Sequence, residues 1–268
     1  MSKDITHILS GWPYEPEATS VRIVRGDDGE ERIQLRIDLG LMQMQFHGRP
    51  DGLRPEGHES WLDYYQAQQR SHDAANPDAS PFLLEPEDCA ELLREGVQYY
   101  HRYLSFWHLR RFELCARDTR RNLELFAFVR DHARRERDKL QFDQWRPYVT
   151  MMHTKAVATP LVELRQIDAA RKVVEHGIAQ IKEFLANYDQ MHRAKHCSEL
   201  VHLQRWLKKL GERQPTAAEA YVSSDRLAQL RAELDSAIAE ERFEDAARIR
   251  DEINAVRETG APNEEMKG

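Results

Sequence analysis

The sequence predicts a mainly α-helical protein that opens with a small antiparallel β-meander and closes with an antiparallel helical hairpin. Three observations carry this. Apolar and polar residues alternate with period two across residues 32–46, which reads as half-buried strand. From about residue 59 to residue 211 the apolar residues recur every three or four positions instead. Glycine and proline are scarce, at 12 and 11 in 268 residues, 32% of the residues are charged, and the mean hydropathy is −0.74. That composition suits long solvated helices better than a compact sheet.

The meander occupies residues 1–57. Val21, Ile23 and Val24 precede the turn signal Asp27-Asp28-Gly29. Ile33, Leu35 and Ile37 then alternate with Arg32, Gln34, Arg36 and Asp38, Gly40 interrupts, and Met42, Met44 and Phe46 alternate again before the turn-rich run from His47 to Gly52. Three strands with one apolar face are near the minimum for independent stability, so the sheet is expected to lean on the helices that follow.

Residues 58–211 form the helical region. Pro86 suits the first turn of a helix, and Leu92, Leu93, Val97, Tyr100, Leu104, Trp107 and Leu109 follow at helical steps. Seven of the nine residues from Asp131 to Lys139 are charged, which reads as a solvated helix end or loop. Leu161, Leu164, Ile167, Val174, Ile178, Ile181 and Leu185 continue the pattern, and Leu200 to Leu210 end it with Gly211 as a C-cap. Two stretches echo each other, Leu109-Arg110-Arg111-Phe112-Glu113 and Leu164-Arg165-Gln166-Ile167-Asp168. In each, an acid suited to a helix N-terminus is followed by small residues that let paired helices approach. Tetratricopeptide-like repeats are one reading of this echo, and an ordinary helical bundle is the other.

Residues 212–223, with Gln214-Pro215-Thr216, read as a linker. Residues 224–258 form the hairpin, and residues 259–268 a tail expected to be disordered. Ser224 caps the first hairpin helix, whose stripe is Leu227, Leu230, Leu234, Ala237 and Ile238; Ala246, Ile249, Ile253 and Val256 make the stripe of the second. A hairpin of this length buries too little apolar surface to fold alone, so its missing burial must come from the rest of the chain or from a partner.

This segment resembles the UVR motif of the bacterial excision-repair proteins UvrB and UvrC, also found in the arginine-kinase activator McsA. The resemblance rests on the leucine stripe and on the run Phe243-Glu244-Asp245-Ala246-Ala247-Arg248-Ile249-Arg250-Asp251, and it covers about 33 of the 268 residues. It implies a protein-docking module with Phe243 as the aromatic anchor at the tip, and Glu244, Ala246, Ala247, Arg250 and Asp251 beside it. The plain alternative is that Phe243 folds back over Ala246 and Ala247. Glu241 departs from the family, which usually has an apolar residue there. A charged tip argues against simple self-pairing, although another UVR-motif protein remains among the candidate partners. No G-x-x-x-x-G-K-[ST] occurs, so the helicase engine of UvrB is not expected here.

Other candidate chemistry is sparser. Leu109 to Lys139 holds ten Arg or Lys against six Asp or Glu, and Arg110, Arg111, Arg117, Arg120 and Arg121 suggest a basic ridge for phosphates. The interleaved acids, and a net charge of −7, favour a solvated mixed face instead. His192, His196 and Glu199 would share one helix face as a weak metal candidate, against the commoner reading of surface histidines. No cofactor motif and no catalytic signature stands out. Cys89, Cys115 and Cys197 are far apart and odd in number, which points to a reducing cytoplasm. No signal peptide or membrane span is expected. Two functions follow: a non-catalytic adaptor docking a protein partner through the hairpin, or a DNA-repair accessory factor that also touches DNA through the ridge.

Overall fold

The computed structural model describes residues 4–75 and 80–212, and beyond them Gln229, Leu230, Ala232, Glu233 and Ile249. The chain divides into two compact units, residues 1–211 and 212–268. The protein is mainly helical with an N-terminal three-stranded antiparallel sheet. Unit 1 runs α1 (Thr6–Leu9), β1 (Val21–Arg25), β2 (Glu31–Ile37), β3 (Gly40–Gln45), α2 (Trp61–Ala75), α3 (Pro86–His108), α4 (Phe112–His132), α5 (Glu136–Asp143), α6 (Arg146–Glu163), α7 (Ile167–Asn187) and α8 (Ser198–Gly211). The helix α1 has no counterpart in the periodicity, being a single turn. No helix among the described residues is long and apolar enough to cross a membrane.

The strands lie in the order β1-β2-β3. Ile33 stands opposite Ile23 and Met44, and Leu35 opposite Val21 and Met42, so the period-two residues form one apolar face. That face packs on Tyr103 and Phe106 of α3, Cys115 and Ala116 of α4, and Met152 and Ala156 of α6. Residues 1–57 and 58–211, which pattern alone divides, therefore share one unit. Gly40 does not interrupt the strands. It pairs with Ile37 and opens β3, leaving Asp38-Leu39 as a two-residue turn.

Polar residues hold the opposite face. Arg22 Nε donates to Gln34 Oε1 at 2.8 Å, and Gln34 Nε2 donates to Gln43 Oε1 at 2.9 Å. The N-terminal segment adds Trp12, whose indole N–H donates to Ser20 Oγ and whose ring lies 4.0 Å beneath the Arg22 guanidinium.

The helices build two further cores. Leu62 and Tyr65 of α2 join Leu92, Leu125, Val129 and Phe142. Val174, Ile178 and Ile181 of α7 join Leu200 and Leu203 of α8. Along α3 the buried side differs from the expected stripe: Val97 is exposed, while Glu95 and Arg102 are buried with Leu92, Tyr99, Tyr103 and Phe106. Charged residues occupy interior positions there because each finds an opposite charge.

The echoing stretches fold alike. Arg110 and Arg165 both take φ of 57°, the left-handed conformation of a helix C-terminus. Arg111 N–H reaches the Phe106 carbonyl, and Gln166 N–H the Leu161 carbonyl, each at 2.8 Å. The two turns lie side by side, joined by an Arg110–Glu163 ion pair.

Candidate functional site

The five arginines of the expected ridge have unequal fates. Arg110 lies over the Phe112 ring at 5.2 Å and is paired with Glu163. Arg117 Nε donates to Asp118 Oδ1 at 2.9 Å, and its Nη2 donates to the Phe46 carbonyl at 3.3 Å. Arg121 donates to the fully buried Glu95 and stacks over Tyr99 at 4.0 Å. Arg111 and Arg120 are exposed. Arg117 and Arg121 are engaged with carboxylates of the fold, while Arg110, Arg111 and Arg120 present their charge to solvent.

Arg121 belongs to a buried ionic network that joins the sheet edge to α2, α3 and α4. The Glu95 carboxylate accepts from the Trp61 and Leu62 amides at 2.8 and 3.2 Å, so it caps α2 from across the fold. Arg49 Nε lies 3.4 Å from the same carboxylate. Next to it, Arg102 forks onto Asp118, and the Tyr99 ring is held between the Arg102 and Arg121 guanidiniums. Burial raises the Tyr99 hydroxyl pKa above its ordinary value, the two arginines opposing it. The network's chemistry is cohesion: each charge has an opposite neighbour.

The metal candidate is rearranged by the fold. Met191–His196 is a 3-10 turn, and Glu199 belongs to the first turn of α8 beyond it. His192, His196 and Glu199 therefore do not share one helix face, because the chain changes direction at Cys197. The Glu199 carboxylate accepts from Ser198 Oγ at 3.0 Å and from Cys197 Sγ at 3.5 Å. Among the described residues no three His, Cys, Asp or Glu side chains are arranged to hold a metal. His196, Cys197 and Glu199 do line a cavity of about 590 Å³ with Asp143, Phe184 and Tyr188. The Asp143 carboxylate accepts from Tyr188 Oη at 2.5 Å and from Arg146 Nε at 2.8 Å. Burial, then the Asp143 hydrogen bond, push the Tyr188 hydroxyl up to about 12. Burial also pushes the Cys89 and Cys115 thiols up to about 12 and raises Cys197, so all three are thiols rather than thiolates at neutral pH.

Of the hairpin, Phe243, Glu244, Ala246, Ala247, Arg250 and Asp251 lie outside the described residues, as do residues 213–223 and 259–268. Its described positions are nonetheless informative. Leu230 and Ile249, one from each apolar stripe, are helical and only 0% and 6% exposed. Gln229, Ala232 and Glu233, which the pattern places off the stripe, are exposed.

No curated protein and no solved structure matches the chain. A family model, that of the UvrB/uvrC motif, matches residues 224–259, which makes this segment similar to a module of the protein-interaction or DNA-repair kind.

Proposed function

We propose that this protein is a non-catalytic adaptor of the reducing cytoplasm that docks onto a protein partner through its C-terminal UVR hairpin. The observation that carries this is the motif match at residues 224–259. A short two-helix element buries little apolar surface of its own, which suits a module that works against another surface. Phe243 is the anchor in this reading, and Glu244, Ala246, Ala247, Arg250 and Asp251 form the rest of the contact. Glu241 directs the hairpin toward a different protein, another UVR-motif protein included, rather than toward its own copy. The three protonated thiols and the absence of a catalytic signature in the sequence support an adaptor over an enzyme.

The test is affinity capture with the full chain, wild type beside Phe243→Ala, with circular dichroism on both. Loss of a specific partner from the variant, with the helical signal intact, is the expected result. Equal recovery by both proteins would overturn the reading.

A second reading, a DNA-repair accessory factor, is favoured by the motif shared with UvrB and UvrC. It depends on the exposed Arg110, Arg111 and Arg120, since Arg117 and Arg121 are engaged with carboxylates of the fold. Reversing the charge of these three arginines should abolish any salt-sensitive DNA binding. If the unaltered chain binds no DNA at low salt, this reading falls.

A further inference from the structure

A second cavity, of about 400 Å³, opens between α3, α4 and the start of α6. Its walls are aromatic: Tyr100, Tyr103, Phe126, Trp145 and Tyr148. No Asp, Glu, Lys or Arg lines it, although 32% of the residues of the chain are charged. Val97 and Trp145 also line it and are 47% and 55% exposed, which places them at its mouth.

Two residues of this wall have no explanation in the packing of the fold. The first is Gly96, in the middle of α3, where glycine is unfavourable relative to alanine. A Cβ on Gly96 would meet nothing within 4 Å, although the residue is buried. By contrast, Gly177 in α7 is required by a close neighbour, Thr154. The missing side chain at residue 96 leaves open space, and that space belongs to the cavity. The second is Asn122, 2% exposed. Its Nδ2 donates to the Gly96 carbonyl at 2.9 Å, while its Oδ1 is buried and accepts from no described residue. An unmet buried acceptor is costly, and a donor brought by a ligand would recover that cost.

We propose that this cavity binds a small neutral aromatic molecule carrying one hydrogen-bond donor, of the indole or naphthol class. Its volume lies in the range of about 300–1,000 Å³ usual for small-molecule pockets. The uncharged walls disfavour an ionic ligand, which would lose its hydration and find no counter-charge. Burial keeps the lining neutral as well, lowering the His101 pKa and pushing Tyr148 up to about 12. Five aromatic rings offer edge and face contacts to a planar guest. The proposal is independent of the C-terminal hairpin.

The test titrates indole and 2-naphthol into the full chain by ligand-observed NMR, with naphthalene-2-sulfonate as the charged comparison. The two neutral compounds should bind saturably, and the sulfonate at least about tenfold more weakly. Gly96→Phe, which fills the space, and Trp145→Ala, which removes an exposed wall, should each weaken binding by about tenfold or more without changing the circular dichroism spectrum. Absence of saturable binding up to about 1 mM overturns the proposal, as does equal affinity for the sulfonate. Unchanged affinity in Trp145→Ala also overturns it, and that variant decides should Gly96→Phe fail to fold. Binding of a tryptophan-containing peptide where indole itself does not bind would reassign the cavity to a partner's side chain and equally defeat the proposal.

Discussion

Arg102 and Asp118 meet in the interior of the helical layer, Nε to Oδ2 at 2.6 Å and Nη2 to Oδ1 at 3.1 Å, with both side chains 1% exposed. The remaining nitrogen, Nη1, donates to the Gln45 and Gly48 carbonyls at 3.0 and 2.8 Å. One guanidinium thus ties the end of β3 to α3 and α4. Arg102→Ala strands a buried carboxylate and two carbonyls, and should lower unfolding stability by about 3–5 kcal/mol. Arg102→Met combined with Asp118→Leu, which removes both charges and keeps the volume, should cost markedly less. Urea unfolding of the wild type and the two variants checks the order. Equal losses in the single and double variants would show that the ion pair is not what is being broken.

Glu95 should affect a helix to which it does not belong. Its carboxylate accepts the first amides of α2 while neutralising Arg121 and Arg49. Glu95→Ala is expected to destabilise the fold by about 3–5 kcal/mol through unpaired buried arginines, and to expose the start of α2. Hydrogen exchange at the Trp61 and Leu62 amides should accelerate beyond the global change in stability. Exchange there that merely follows the global change would rule out the cap.

Gly177 allows α7 to approach α6. A Cβ at this position would fall 2.1 Å from Thr154 Oγ1, which donates to the Thr150 carbonyl from a residue 2% exposed. Gly177→Ala gains about 1 kcal/mol of helix propensity but forces an overpacked contact of about 1–3 kcal/mol. A net loss of stability is expected, reduced when Thr154→Ala is added. Additive losses in the double-mutant cycle would show that the two sites do not clash.

Stability should fall on mild acidification. Burial lowers the pKa of His101, His108, His153 and His202 in the fold. For His153 the Ala116 carbonyl opposes this, while Arg120 and His176 add to it. Its Nδ1 lies 3.0 Å from Thr119 Oγ1 and 3.2 Å from that carbonyl, so the neutral ring carries its proton there. A depressed folded pKa means that the unfolded chain binds protons first. The stabilisation is complete above about pH 6.5 and is lost as pH falls from there through the folded-state pKa. Denaturant midpoints should therefore drop between about pH 7 and about pH 5, with a smaller drop in His153→Gln. A flat profile over that window would contradict the partial burial of His101 and His153.

Much of this architecture was legible in the residues themselves. The alternation of Ile33 and Leu35, then of Met42 and Met44, specified strands with one apolar face, and the register places them in one row. The echo of Leu109–Glu113 in Leu164–Asp168 marked two turns that close with the same backbone geometry. The stripes holding Leu230 and Ile249, with the run from Phe243 to Asp251, marked the UvrB/uvrC motif. These features are local: they depend on side chains a few positions apart, and period and turn chemistry report them.

What the sequence by itself could not determine was the use of its charges. Glu95, Arg102, Asp118 and Arg121 look like solvated residues on amphipathic helices, and Arg110 to Arg121 look like a basic ridge. Partners 16 to 57 positions away in the chain, Asp118 for Arg102, Glu95 for Arg121 and the Gln45 carbonyl for Arg102 among them, turn those charges inward. The same holds for Gly96 and Asn122, whose shared cavity exists only once α3, α4 and α6 are side by side. Burial of a charge is decided by whether an opposite charge arrives from elsewhere in the fold, and that is a property of tertiary structure.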